Sequence, residues 1–143
     1  MRVLCLDLGE KTIGVAVSDP MGWTAQAVEV IHRNGNLKSE IGRLQELIKE
    51  YGVELILLGL PKNMNGTVRD QGQKAMAYAA KIEERLGIPV KLWDERLSTV
   101  AAGRALLEAD MSRAKRKKVI DKVAAAVILQ GYLDSRTNSS LDH

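Results

Sequence analysis

The sequence is poor in aromatic residues and in cysteine. It contains no phenylalanine, two tryptophans, three tyrosines and one cysteine among 143 residues. Because Cys5 has no second thiol to pair with, a disulfide-stapled secreted domain is excluded, and the apolar run Val3–Leu6 predicts a small buried side chain in a reducing compartment. With Trp93 and Tyr132 expected in the core, the remaining aromatic residues are too few to form a base-stacking surface.

Long hydrophobic runs are also missing. Only the four apolar residues Val3–Leu6 separate Met1-Arg2 from Asp7, which is too few for a signal peptide. No stretch approaches the ~18 apolar residues of a membrane span. A chain of 143 residues fits one domain and leaves no room for a second lobe, which argues against two-lobed kinases. We therefore expect a soluble cytoplasmic protein with no membrane partner.

The excess of positive charge is small but concentrated. The chain has 21 basic and 18 acidic residues, a net charge of +3. Residues 96–122 carry eight basic and three acidic side chains, so this segment is +5 and the rest of the chain is −2. Its peak is Arg113 to Lys118, where five of six residues are basic. Such a segment is typical of contact with a polyanion.

The apolar pattern predicts an α/β domain in the order βββαβαβα. The expected strands are 2–8, 13–18, 27–31, 54–60 and 88–93. The expected helices are 37–51, one from near Thr67 to Leu86, one from Ser98 or Thr99 to about Glu108, and one from Ser112 or Lys115 to Leu133. An antiparallel meander followed by right-handed crossovers gives a mixed five-stranded sheet flanked by helices. We assign residues 1–134 to this domain and predict a disordered tail over 135–143.

Ligand sites in such sheets lie beyond the carboxyl ends of the parallel strands. Asp7 stands at one of these ends, where the most apolar strand enters a glycine turn. A buried carboxylate there needs a metal, a partner or a hydrogen-bond network, although an Asp that caps the hairpin is the alternative. Gly9 would let a phosphate or a metal approach the backbone closely.

Asp94 and Glu95 close the last strand at the same edge. Because side chains alternate along a strand, these two should point in different directions, so one of them belongs to a site. We favour Glu95 and keep Asp94 as its substitute, since a surface acid paired with Arg96 explains Asp94 equally well.

Asp121 is the third candidate carboxylate. Its helical neighbours Ala125 and Ile128 are small and apolar, whereas a solvated Asp would lie among polar residues. The alternative is an ion pair with Lys117, which is worth only ~0.3 kcal/mol.

Three carboxylates without a His or Cys ligand set favour Mg²⁺ or Mn²⁺ over zinc. Two such metals at about 3.5–4 Å separation hydrolyse phosphodiester bonds, one by activating water and the other by stabilising the leaving oxygen. We therefore predict that Asp7, Glu95 and Asp121 are both the metal ligands and the catalytic residues.

Contacts to nucleic-acid phosphates are predicted at two places besides the first hairpin. Asn63, Asn65 and Thr67 precede a helix and could bind a phosphate at its N-terminus, although an ordinary loop with a capping Thr67 is an equal alternative. The basic segment would hold the polyanionic backbone. The predicted phosphate-binding residues are Gly9, Lys11, Asn63, Asn65, Thr67, Arg96, Arg113, Lys115, Arg116, Lys117 and Lys118.

Four ordered motifs resemble one known family. They are DLGEKTIGVAVSD (7–19), GLPKNMNGT (59–67), DERLST (94–99) and IDKVAAAVILQGYLD (120–134). Together they resemble the YqgF family, also called RuvX, which is described as Holliday junction resolvases or pre-16S rRNA nucleases. The likeness extends from residue 1 to about 134.

The resemblance implies a ribonuclease H-like fold and metal-dependent phosphodiester cleavage, with Asp7, Glu95 and Asp121 at the family's acidic positions. It also implies maturation of the 5′ end of 16S rRNA in a bacterial cytoplasm. Lys11-Thr12 replaces the Lys-Arg pair frequent in the family, which weakens the expected phosphate contact. The acidic residue closes the last strand here and not the middle one, which also differs from the general ribonuclease H arrangement. This difference leaves the choice between Asp94 and Glu95 open.

Three alternatives compete with an RNA nuclease. Resolution of branched DNA would need two active sites related by symmetry, and the sequence leaves monomer and homodimer undecided. An actin-like ATPase would need a second lobe that 143 residues do not supply. A nucleic-acid-binding module without catalysis would use Arg113 to Lys118 as its electrostatic contact.

Overall fold

A computed structural model describes residues 1–60, 70–95 and 123–136. Its strands and first two helices are β1 (Val3–Leu8), β2 (Thr12–Ser18), β3 (Ala25–His32), α1 (Leu37–Tyr51), β4 (Leu55–Leu60), α2 (Asp70–Leu86) and β5 (Val90–Asp94). Residues 123–136 are helical and are called α3. The five strands form one sheet in the order β3-β2-β1-β4-β5. β1 pairs antiparallel with β2 and parallel with β4, which confirms the predicted mixed sheet.

The sheet is covered on both faces, and β1 shows why its sequence is apolar throughout. Leu4 and Leu6 pack into a core with α1 and α2. Val3 and Cys5 alternate with them and pack against α3. All four side chains are fully buried, because a central strand covered on both sides has no solvent face. The burial predicted for Cys5 is confirmed.

α1 forms where its local sequence predicts it. The side chain of Asn36 caps the helix by accepting a hydrogen bond from the Ser39 amide at 3.2 Å. Gly52 ends it in the left-handed conformation, with φ +64°, which favours glycine. Ile41 and Leu44 lie on the buried stripe between these caps. The predicted bounds 37–51 are confirmed.

The turn between β2 and β3 is organised by Asp19. Its Oδ1 accepts hydrogen bonds from the amides of Trp23 at 2.6 Å and Thr24 at 3.0 Å. The amides of Thr24 and Trp23 lower the pKa of this carboxyl group below its usual value. Asp19 therefore stabilises this turn.

Three elements differ from their predicted bounds by two or more residues at one end, and β1, β2 and β4 differ by one residue. β3 begins at Ala25, whose amide donates to Gln130 Oε1 at 2.9 Å, a contact across 105 residues of sequence. β5 runs from Val90 to Asp94, and not from 88 to 93, because Asp94 still pairs with Leu60. α3 extends to 136, past the predicted end at Leu133.

The remaining predictions about secondary structure fall outside the described residues. These are the helix from Ser98 or Thr99 to about Glu108, the first part of the last helix, the start of α2 before Asp70 and the tail beyond 136. Within the described ranges, no helix has the length and apolar character needed to cross a membrane.

Candidate active site

Asp7 and Glu95 lie on the same face of the sheet. Asp7 follows Val3 and Cys5 by strand alternation, so it belongs to the face that α3 covers. Burial first, and then the negative charges of Asp7 and Glu95, raise the pKa of the Cys5 thiol well above its usual value. Leu6 of β1 pairs with Leu58 of β4, so the next residues, Asp7 and Gly59, lie side by side, and the Glu95 carboxylate lies against Gly59. The structure therefore brings together two of the three predicted ligands, each of them half-buried.

Gly59 of β4 provides the space that the Glu95 side chain occupies. A Cβ atom at position 59 would lie 3.1 Å from Glu95 Oε1 and 3.0 Å from Ile128 Cδ1. Both distances are shorter than ordinary van der Waals contact, so a residue with a side chain would displace one of these groups. The predictions from sequence include no role for Gly59, although a glycine inside an otherwise apolar strand indicates close approach of another group.

The alternation along β5 separates Asp94 from the carboxylate pair. Val90 and Leu92 pack against the core on the α1 and α2 side, and Asp94 continues their face. Trp93 packs against α3, and Glu95 follows it on that side. This placement agrees with the preference for Glu95 over Asp94. Its role as a metal ligand stays a prediction.

Asp121 lies outside the described residues, as do most of the predicted phosphate contacts. These contacts are Asn63, Asn65, Thr67, Arg96, Arg113, Lys115, Arg116, Lys117 and Lys118. In the described part of the chain no group of three acidic, His or Cys side chains could hold a metal by itself. The pair of carboxylates offers only oxygen ligands, which suits a hard divalent cation and calls for a third ligand.

Gly9 closes the tight β1–β2 hairpin that follows Asp7. Its amide donates to the Thr12 carbonyl oxygen at 2.8 Å. A Cβ atom at Gly9 would lie 3.0 Å from that same backbone oxygen, so the turn requires glycine. The side chain of Lys11 is exposed at the tip of the hairpin, where it is accessible to a phosphate.

A buried charged network lies on the opposite face of β1 and was not predicted from the sequence. Glu40 of α1 is 3% exposed and accepts hydrogen bonds from the Tyr78 hydroxyl at 3.0 Å and from Arg33 Nε at 3.3 Å. Arg33 also donates through Nη1 to the Gly9 carbonyl at 2.8 Å. Burial, and then the charge of Glu40, raise the pKa of Tyr78 far above its usual value.

Helical spacing contained the signal for this network. Glu40 lies three residues after Leu37 and four before Leu44, which places it on the apolar stripe of α1. A carboxylate on such a stripe needs buried donors. The partners Arg33 and Tyr78 are 7 and 38 residues away in sequence, so spacing alone could not identify them.

Comparison with known proteins decides the family. A family model described as "RuvX: Holliday junction resolvase" matches residues 1–135. The chain belongs to the RuvX family. A protein of Desulforamulus reducens named "Putative pre-16S rRNA nuclease" is 62% identical over 135 residues, which cover 94% of this chain and 98% of the relative. Family members of the same name from Clostridium novyi and Listeria monocytogenes are 60% and 56% identical, each over 94% of this chain and 99% of the relative.

Solved structures similar to this RuvX-family chain share its fold. Thermus thermophilus RuvC matches with a TM-score of 0.55 at 17% identity, covering 96% of this chain and 97% of that one. The fowlpox virus Holliday junction resolvase matches with a TM-score of 0.53 at 14% identity, covering 94% and 99%. At these identities the likeness concerns the fold, and it confirms the predicted ribonuclease H-like architecture.

Proposed function

We propose that this protein is a metal-dependent nuclease that hydrolyses phosphodiester bonds in structured nucleic acid, and that its substrate is the 5′ region of pre-16S rRNA. The observation that carries the proposal is the placement of Asp7 beside Gly59 on one face of the sheet, with the Glu95 carboxylate lying against that glycine. The names of the relatives, at up to 62% identity, support rRNA as the substrate. Such a role belongs in the bacterial cytoplasm.

Asp7 and Glu95 would hold Mg²⁺ or Mn²⁺ together with Asp121, which we propose as the third carboxylate. Asp121 lies four and seven residues before Ala125 and Ile128, which are buried against the same face as Cys5. The bound metal would activate water and stabilise the leaving oxygen. The chain itself fixes the carboxylates on the rigid ends of β1 and β5, and the glycine hairpin lets a phosphate approach.

The remaining predicted contacts hold the substrate in this proposal. Lys11 and the basic segment around Arg113 to Lys118 neutralise backbone phosphates, which gives affinity without base readout. Because aromatic residues are few, we expect the nucleic acid to be recognised by its charge and shape.

The test is a cleavage assay with two substrates and two forms of the protein. A pre-16S rRNA 5′ fragment and a four-way DNA junction are incubated with wild type and with Asp7→Asn, in Mg²⁺, in Mn²⁺ and without metal. We expect metal-dependent cleavage of the RNA by wild type, and none by Asp7→Asn, which should still fold and bind RNA. Full activity of Asp7→Asn would reject the mechanism.

Junction resolution is the second candidate, because the description of the family model names it. It predicts preferential cleavage of the DNA junction and a dimer in solution, since two symmetric cuts need two active sites. A strictly monomeric protein that cleaves only RNA would rule it out. Salt-sensitive RNA binding without cleavage in any divalent metal would instead favour a binding module.

A further inference from the structure

The Arg33 guanidinium joins three parts of the molecule at the base of the β1–β2 hairpin. Arg33 follows the last residue of β3, and its Nε bonds to Glu40 of α1. Its Nη1 bonds to the carbonyl of Gly9, and its own amide donates to the Lys11 carbonyl at 2.8 Å. One side of the hairpin is therefore bonded to the Arg33 side chain, which reaches α1, and the other side is bonded to the Arg33 backbone.

Glu40 and Tyr78 hold that guanidinium in place. Glu40 is almost fully buried, and a buried carboxylate is tolerated when it is paired and hydrogen-bonded. Tyr78 of α2 donates to one Glu40 oxygen while Arg33 donates to the other. The Arg33 guanidinium also lies 5.4 Å from the centre of the Tyr78 ring. These contacts leave Arg33 little freedom to rotate.

The charges around Arg33 argue against a direct role in binding phosphate. A pocket of about 320 Å³ adjoins it, lined by Leu8, Gly9, Glu10, Arg33, Gly35 and Lys74. Arg33 is paired with Glu40, and the positive charge of Lys74 is opposed by the negative charge of Glu10, which lines the same pocket. A pocket with balanced charge does not select an anion. The side-chain hydrogen bonds of Arg33 go to the hairpin and to α1.

We propose that Arg33, fixed by Glu40 and Tyr78, is a positioning residue that sets the β1–β2 hairpin and, through it, the Asp7 carboxylate for metal binding. Asp7 lies two residues before Gly9 in the same strand and turn. Metal ligands must be held within ~0.5 Å of their productive geometry, so a loosened hairpin weakens the site. This inference rests on the proposed metal-dependent function.

The chain offers a matched control for Arg33. Arg43 of α1 also joins β3 to α1, through bonds to Glu29 at 2.5 and 3.0 Å, and it makes no bond to the hairpin among those of the described residues. Arg33→Ala and Arg43→Ala thus each remove one arginine that links the same two elements. Arg33→Lys is the conservative variant, because a lysine keeps the charge beside Glu40 but lacks the fork that reaches the Gly9 carbonyl simultaneously.

Three measurements test the proposal: direct titration with Mn²⁺, hydrogen exchange of the Gly9 amide, and cleavage kinetics. We expect Arg33→Ala and Arg33→Lys to bind Mn²⁺ more weakly, on the order of tenfold. Exchange of the Gly9 amide should become faster, and kcat should fall while KM for the RNA stays unchanged. Arg43→Ala should match wild type in all three.

If Arg33→Ala fails to fold, the Arg33→Lys variant tests the positioning role of Arg33. Wild-type Mn²⁺ affinity and Gly9 exchange in Arg33→Lys would overturn the proposal, as would equal effects of Arg43→Ala. If wild type itself neither binds Mn²⁺ nor cleaves nucleic acid, the proposed function fails. In that event exchange at Gly9 still reports whether Arg33 fixes the hairpin.

Discussion

Gly59 shows how one missing side chain shapes the candidate site. The space above it holds the Glu95 carboxylate and the tip of Ile128. The end of a flexible side chain can move more easily than backbone, so a methyl group at position 59 should shift Glu95 and leave the strand intact. The position of a proposed catalytic carboxylate therefore depends on a residue that has no side chain.

We predict that Gly59→Ala folds but loses much of its cleavage activity, because displacement of a reacting group by about 1 Å can cost on the order of 100-fold in rate. Circular dichroism and the cleavage rate in Mg²⁺ measure the two effects. Gly42→Ala in α1 is the control, since nothing surrounds its Cβ position within 4 Å. It should keep full activity and gain about 1 kcal/mol in stability. Wild-type activity in Gly59→Ala would contradict the assigned place of Glu95.

At the scale of elements, the Arg43–Glu29 pair holds β3 against α1. A hydrogen bond from Arg43 lowers the pKa of Glu29 below its usual value. The folded protein therefore holds this carboxylate charged at pH values where the unfolded chain protonates it. The contribution to stability is present above the unfolded pKa of about 4.5 and is lost as the pH falls from there through the lower pKa of the folded state.

We predict that Arg43→Ala lowers the free energy of unfolding by about 0.5–1 kcal/mol at pH 7, a modest value because the Arg43 side chain is 38% exposed. The difference from wild type should shrink as the pH falls from 4 to 3. Urea unfolding at pH 7 and pH 3 measures it. A difference of equal size at both values would show that the ion pair is not its cause.

Local sequence predicts some elements better than others. The cap, the apolar period and the terminal glycine of α1 all lie within its own segment, so its bounds followed from the sequence. The start of β3 depends on Gln130, which is 105 residues away, and no local pattern contains that contact. The same Gln130 side chain also bonds to Asp134 at 2.9 Å within α3.

The candidate site, too, could be predicted from the sequence only in part. Asp7 and Glu95 could be found because carboxylates at the ends of apolar strands are visible in the sequence. The choice between Asp94 and Glu95 needed the register of β5 and the space at Gly59. The Arg33, Glu40 and Tyr78 network joins three elements, so only the assembled fold reveals it.

At the scale of the whole molecule, charge is divided between a −2 body and a +5 segment over residues 96–122. If this segment contacts phosphates, its charges set how binding depends on salt. Each neutralised phosphate contributes about 0.7–0.9 to the slope of log K against log salt.

We predict that alanine at Lys115, Arg116 and Lys117 reduces this slope by about 2–3 and weakens binding to all sequences alike. Mn²⁺ affinity should not change. The control replaces Lys38, Lys49 and Lys81, three exposed lysines of α1 and α2, which removes the same charge elsewhere. Fluorescence anisotropy with labelled RNA at several salt concentrations measures the slope for the variant and for the control. An equal loss of slope in the control would assign binding to net charge alone.

In the proposed mechanism Asp7 and Glu95, and not Asp94, form the metal-binding pair for phosphodiester cleavage. The most direct measurement is Mg²⁺-dependent cleavage of the pre-16S rRNA fragment by Asp7→Asn, Glu95→Gln and Asp94→Asn, each shown to be folded. We predict that the first two lose cleavage and that Asp94→Asn, one residue from Glu95 but on the opposite face, retains the wild-type rate. Full activity in Glu95→Gln, with loss in Asp94→Asn, would show that Asp94 and not Glu95 is the metal ligand.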